Sequence, residues 1–168
     1  AEGAALMSDT TVTSRVLGSA WPIHTNKVLA ETHDANIRSV GLPTWSDADV
    51  ALAKAVQREL KVPEIGLATE IPALRGREEI PDNEKRGGGS DDIGDISWNV
   101  PTVTLSFPAN FAAGPGHNWA NAIAMATPIA HKGVVAGAKA QAMTVLDVLM
   151  RPEVVTQAWD YFRTVARK

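Results

Sequence analysis

Apolar residues recur at helical spacing in four stretches. Over residues 27–40, Leu29, Ile37 and Val40, with Ala30 and Ala35 between them, line one face of a predicted helix. Asn26 stands where it can cap that helix, and the Gly-Leu-Pro of residues 41–43 stops it. Ser46 heads a second helix over residues 47–60. Asp49 at its third position makes an Asp version of the capping box, and Leu52, Val56 and Leu60 form the buried line. Residues 132–150 are apolar round most of the circumference, which predicts a buried helix packed against a sheet. Its Gly133, Ala136, Gly137, Ala138 and Ala140 would let another element approach closely. Pro152 suits the first turn of a last helix over residues 153–167, with Val155, Ala158, Trp159, Phe162 and Val165 on its apolar face. A short helix over residues 118–126 is interrupted by Thr127 and Pro128 before the long one begins. His131 reads as a helix-start residue and His33 as a solvent-facing one.

Two stretches follow a period of two. Residues 10–17 and 100–107 alternate and are rich in β-branched side chains, the pattern of a strand, with Pro101 at the strand's beginning or on an edge. Residues 1–7 look like the end of a helix whose start is missing. Between residues 61 and 86 the periodicity weakens, with Pro63, Pro72, Pro81 and the run RGREEIPDNEKR, so a lid, a binding loop or a solvated connection is expected there. There is no internal repeat. The strand over residues 100–107 would separate two loops that could meet at the same end of a sheet, as binding loops often do in α/β proteins.

Composition narrows the function. The 168 residues, 45% hydrophobic, suffice for one core. A net charge of -3 leaves no basic footprint for nucleic acid or an anionic membrane. Without cysteine, any metal must be held by histidine and carboxylates. No secretory signal stands at the start, and no apolar run reaches the ~18 residues needed to span a bilayer, which predicts a soluble cytoplasmic protein.

Chemistry concentrates in residues 87–119, GGGSDDIGDISWNVPTVTLSFPANFAAGPGHNW. Three glycines in a row cost backbone freedom and suit a loop that must pass close to something; the N–H groups of residues 87–90, including Gly88, Gly89 and Ser90, can bind a substrate carboxylate. Asp91, Asp92 and Asp95 are either turn and helix-cap residues or part of a site. His117, after Pro-Gly, is either a loop or capping residue or a metal ligand. Trp98 and Trp119 flank this region as core anchors or site walls.

These residues, with AEGAALMSDTTV, LGSAWPIHTNKVLAE and IAHKGVVAGAKAQA, resemble the C-terminal part of the dinuclear zinc amidohydrolases that include aminoacylases and carboxypeptidase G, nearest to the aminobenzoyl-glutamate utilisation group. The resemblance covers most of the chain. It implies the C-terminal part of a three-layer α/β zinc-peptidase-like catalytic domain over residues 21–168, preceded by the end of an inserted lid and dimerisation domain over residues 1–20. It further implies hydrolysis of the amide in N-acyl or N-aroyl amino acids such as p-aminobenzoyl-glutamate. On this reading His117 matches a metal ligand, Asp92 the acidic position beside the site, and His24 and Asn26 the segment returning to the catalytic domain near substrate. Two divalent ions, zinc or manganese, about 3.5–4 Å apart would activate a water and polarise the amide carbonyl. The other ligands and the general base are expected before Ala1, so this chain alone is expected to be inactive. Assembly as a homodimer, or as a hetero-oligomer with a paralogous subunit, follows from the same likeness. The competing expectation is a non-catalytic remnant or partner subunit that serves as a binding module.

Overall fold

The computed structural model describes residues 1–76, 79–81, 91–111 and 117–166. Among these the chain is helical: α1 Glu2–Met7, α2 Lys27–Val40, α3 Asp47–Glu59, α4 Asp92–Ser97, α5 Trp119–Met125, α6 Pro128–Met150 and α7 Pro152–Tyr161, which runs into a π-helical turn, Phe162–Ala166.

The helix ends follow their cap chemistry. Asn26 accepts a hydrogen bond from the Leu29 N–H at 3.3 Å, and α2 ends at Gly41, whose φ of 73° is one that side chains rarely adopt. Ser46 and Asp49 exchange the two bonds of a full capping box, 2.8 and 3.2 Å. Thr127 and Pro128 separate α5 from α6 as expected, and Pro128 itself opens α6, because the first helical position has no intrahelical partner for an N–H. The long helix therefore starts four residues before the predicted Lys132, and His131 falls inside it.

α6 is the centre on which α2, α5 and α7 pack. Its buried positions are Ile129, Ala130, Gly133, Ala136, Gly137, Ala140 and Thr144, nearly all small. Backbone therefore approaches backbone: a Cβ on Gly133 would overlap the Pro108 carbonyl oxygen, and one on Gly137 would press on Leu105 and Phe107 at 3.2 and 3.3 Å. Beside it, Ile129, Ala53 and Leu67 form a small core bordered by Trp45, Val50 and Phe111.

The α/β expectation is not met: neither residues 10–17 nor residues 100–107 form a strand, and no strand occurs among the described residues. The alternation in residues 100–107 nevertheless survives. Val103, Leu105 and Phe107 are half-buried while Thr104 and Ser106 are exposed, so the segment lays one face on α6. A strand also needs a ladder partner, and the one backbone bond that joins residues 100–107 to a segment distant in sequence among the described residues, from the Asn26 N–H to the Thr102 carbonyl at 2.8 Å, does not make one. Residues 10–17 are exposed throughout, and no residue of 1–20 is buried.

Three further expectations are corrected. The buried face of α3 is Asp49, Ala53, Val56 and Gln57, not the line Leu52, Val56 and Leu60. Gln57 goes inside because its amide exchanges two 2.8 Å bonds with the backbone of Gly66, leaving no polar group unmet there. His33 is buried rather than solvent-facing: its Nδ1 lies 2.7 Å from Thr144 Oγ1, and Asn36 links Thr144 to Asp147 at 3.1 and 2.7 Å, so a polar network joins α2 to α6. Finally, α6 with its 23 residues is long and apolar enough to cross a membrane by length and composition, where no run of the sequence was expected to be. One face of it packs on residues 105–109 and α2, but only 22% of the apolar window is buried, so the buried helix on a sheet that the sequence predicts is not formed among the described residues.

Burial lowers the His33 pKa below its ordinary 6.5, opposed by the nearby Asp34 charge, and the Nε2 atom is buried without a partner among the described residues. The unfolded chain then binds more protons than the folded one below pH 6.5, so stability falls as pH drops through that window and is flat in this group above it. Urea unfolding at about pH 8, 6 and 5 should show the loss, and His33→Gln should flatten it. A second loss belongs to Asp49, whose pKa is held at about 2, from an ordinary 3.8, first by the Lys132 ammonium 2.5 Å away and then by Ser46. Its contribution is fully present above pH 3.8 and disappears as pH falls through about 2. For packing, Gly133→Ala should lower stability by about 1–3 kcal/mol or more, whereas Gly3→Ala in α1, where a Cβ meets nothing within 4 Å, should be neutral or stabilising. Equal effects of the two substitutions would contradict the close approach at α6.

Candidate functional site

Of the two readings of Asp91, Asp92 and Asp95, the helix-cap one holds for Asp91: the block Asp91 to Trp98 folds as the short helix α4. Asp91 is its cap, accepting from the N–H groups of Ile93 and Gly94 at 3.0 and 3.1 Å, while Asp92 and Asp95 occupy the first turn, where the helix dipole favours carboxylates.

The segment carrying His24 and Asn26 is clamped onto this helix. Asp95 Oδ1 accepts from the Trp21 backbone N–H at 3.1 Å, Ser97 Oγ accepts from the His24 N–H at 2.9 Å and donates to the Gly94 carbonyl at 2.6 Å, and the Trp98 indole N–H donates to the Pro22 carbonyl at 2.9 Å. Gly94 makes this approach feasible, because a Cβ there would overlap the Trp21 carbonyl oxygen. Above the clamp four rings gather: Trp21 meets Trp98 edge-on at 6.4 Å, and His24 lies 5.3 Å from Trp98 and 6.3 Å from Tyr161. Trp21 remains 58% exposed despite its fixed backbone.

Asn26 is committed to structure. Its Oδ1 caps α2 while its Nδ2 donates to the Ala158 carbonyl of α7 at 2.9 Å, and its backbone reaches Thr102. Asp92 is exposed on α4.

His117 stands apart from this cluster. It is exposed, with a φ of 56°, a left-handed conformation uncommon outside glycine, and it turns the chain directly into Asn118, the cap of α5. Asn118 accepts from Ala120 and Asn121 at 2.8 and 3.3 Å, and Asn121 accepts from Asn110 Nδ2 at 2.9 Å, which ties α5 to the end of the preceding segment. Among the described residues no hydrogen bond or ring contact joins His117 to Asp92, His24 or Asn26. Trp119, beside it, is 52% exposed. Gly88, Gly89 and Ser90 lie outside the described residues.

The described residues hold no group of three histidine, aspartate or glutamate side chains able to bind a metal ion. They do not by themselves form the centre that the sequence resemblance implies. Sequence reasoning also missed the α4 clamp and the ring cluster. The available signal was a glycine at the middle of a short Asp-capped run, between residues that carry the hydrogen-bonding groups.

Because Gly94 lies against the Trp21 carbonyl, Gly94→Ala should destabilise the protein and shift Trp98 fluorescence to the red. Intrinsic helix propensity alone predicts the opposite, a gain of roughly 1 kcal/mol, so a stabilised variant with unchanged fluorescence would sink the clamp.

No protein-family model matches the chain, and no solved structure does. Among curated proteins, the B subunit of p-aminobenzoyl-glutamate hydrolase from Escherichia coli (strain K12) is 32% identical over 170 residues, an alignment that takes in 89% of this chain and 35% of that protein. The chain thus spans about a third of the length of the relative it matches, and the resemblance read from its residues is borne out: over nearly all of its length it is similar to part of a p-aminobenzoyl-glutamate hydrolase subunit.

Proposed function

We propose that this chain is part of a metal-dependent amidohydrolase that cleaves the amide of N-acyl or N-aroyl amino acids, p-aminobenzoyl-glutamate being the first substrate to try. The observation that carries the reading is the 32% identity to the hydrolase subunit across 89% of the chain. On this reading His117 is the metal ligand that the chain contributes. Its exposure and left-handed backbone leave the imidazole accessible to ligands from elsewhere in the protein or from another subunit. Zinc or manganese is the metal class suited to imidazole and carboxylate donors. His24, Asp92 and residues 88–90 stand as candidates for substrate contact or for support around the metal.

A second reading rests on the relative's name, which describes one subunit of a hydrolase. Here the chain belongs to a non-catalytic partner and activity resides in a paralogous chain. The two separate in one assay: release of p-aminobenzoate from p-aminobenzoyl-glutamate by the purified full-length protein that carries this chain, with added zinc or manganese and metal content measured in parallel. Under the first reading activity tracks bound metal, and His117→Ala lowers both, activity by more than the roughly 10–100-fold that loss of an outer-shell partner costs. Metal-free protein that is inactive alone but raises the activity of a paralogous subunit would transfer the chemistry to the partner. No activity in either arrangement would overturn the hydrolase reading.

A further inference from the structure

The turn that ends α2 does more than stop the helix. Gly41, at a φ of 73°, turns the chain so that Leu42, Pro43 and Thr44 pass along the first half of α6. Between them lies an open cleft of about 540 Å³. Its apolar surface comes from Leu42 and Pro43 on one side and Val135 and Ala136 on the other. Both walls are stiff: one is a helix within its first three turns, and the other is fixed by a proline and by the capped end of α2.

The charge at this cleft has one sign. Lys132 and Lys139 line it together with His131, and no Asp or Glu among the described residues does so. The two lysines are not equivalent. Asp49 holds the Lys132 ammonium at 2.5 Å from outside the cleft, so that charge is largely compensated. Lys139, further along α6 by two turns and therefore about 10 Å away, is exposed and has no hydrogen-bond or ion-pair partner among the described residues. A concave, mostly apolar surface with, among the described residues, one uncompensated cation at its edge matches a ligand with an apolar body and one negative end.

We propose that this cleft binds a small apolar carboxylate, its body against Leu42, Pro43 and Val135 and its carboxylate on the Lys139 ammonium. The assignment does not rest on the hydrolase reading: none of its residues belongs to α4, to the segment of His24 and Asn26, or to the neighbourhood of His117. A charge-assisted hydrogen bond at the rim supplies orientation, and the apolar area supplies most of the affinity. A ligand of this size, held by so few polar contacts, is expected to bind in the millimolar range.

The test uses benzoate and hexanoate as probes, with benzylamine as the ring of opposite charge, followed by amide chemical-shift mapping and calorimetry on the purified protein. The expected result is saturable binding of a carboxylate probe, with shifts confined to residues 40–44 and 131–139 and none from benzylamine. Lys139→Gln, at an exposed position without partners among the described residues and therefore compatible with folding, should weaken the carboxylate about tenfold, and Leu42→Ser should weaken it independently. Unchanged affinity in Lys139→Gln overturns the proposal. So does equal binding of benzylamine, a shift pattern centred elsewhere, or no binding of either carboxylate up to its solubility limit. The hydrolase assay decides separately, since Lys139→Gln leaves His117 and α4 untouched.

Discussion

The structure depends on how closely other elements approach the small-residue face of α6. Gly133 and Gly137 let residues 105–109 lie against the helix, where a single methyl group would collide with the Pro108 carbonyl oxygen. Dispersion and apolar burial fall off steeply with separation, so packing at this distance gains contacts that larger side chains would prevent. Ala136 and Ala140 extend the same surface toward α2. The network of His33, Asn36, Thr144 and Asp147 then fixes α2 against α6, since its buried polar groups are met only in one arrangement.

The same device recurs at α4 on a smaller scale. Gly94 brings the carbonyl of Trp21 against the helix, and three hydrogen bonds to side chains of α4 and its C-cap hold the segment there. Because the backbone is pinned, Trp21 and Trp98 present a fixed ring pair beside His24 while Trp21 keeps more than half its surface in solvent. His117 belongs to a different neighbourhood, governed by Asn118 and α5. The residues singled out from the resemblance therefore divide into a clamped group around α4, a histidine that opens α5, and three positions outside the described residues.

Much of the helical layout was legible because caps act locally. Asn26, Ser46 with Asp49, Gly41 and Pro152 each satisfy or remove specific backbone groups, and each stands at the boundary of the helix it was expected to bound. The failures have a common origin in partners distant in sequence. Gln57 reads as a surface residue until Gly66 offers both a donor and an acceptor. His33 reads as exposed until Thr144, more than one hundred positions away, meets its ring. Residues 100–107 carry the alternation of a strand and do bury one face, yet a strand is defined by a ladder that needs a second chain segment.

By itself, then, the sequence determined both ends of α2, the capped start of α3, the start of α7 and the likeness to a hydrolase subunit. Those are properties of neighbouring residues or of residue order. Tertiary structure alone decided which faces are buried, that Asp95 holds Trp21, and that the Lys132 charge is taken up by Asp49. Burial and pairing are relations between segments far apart in the chain. No local pattern encodes the distance at which two such segments meet.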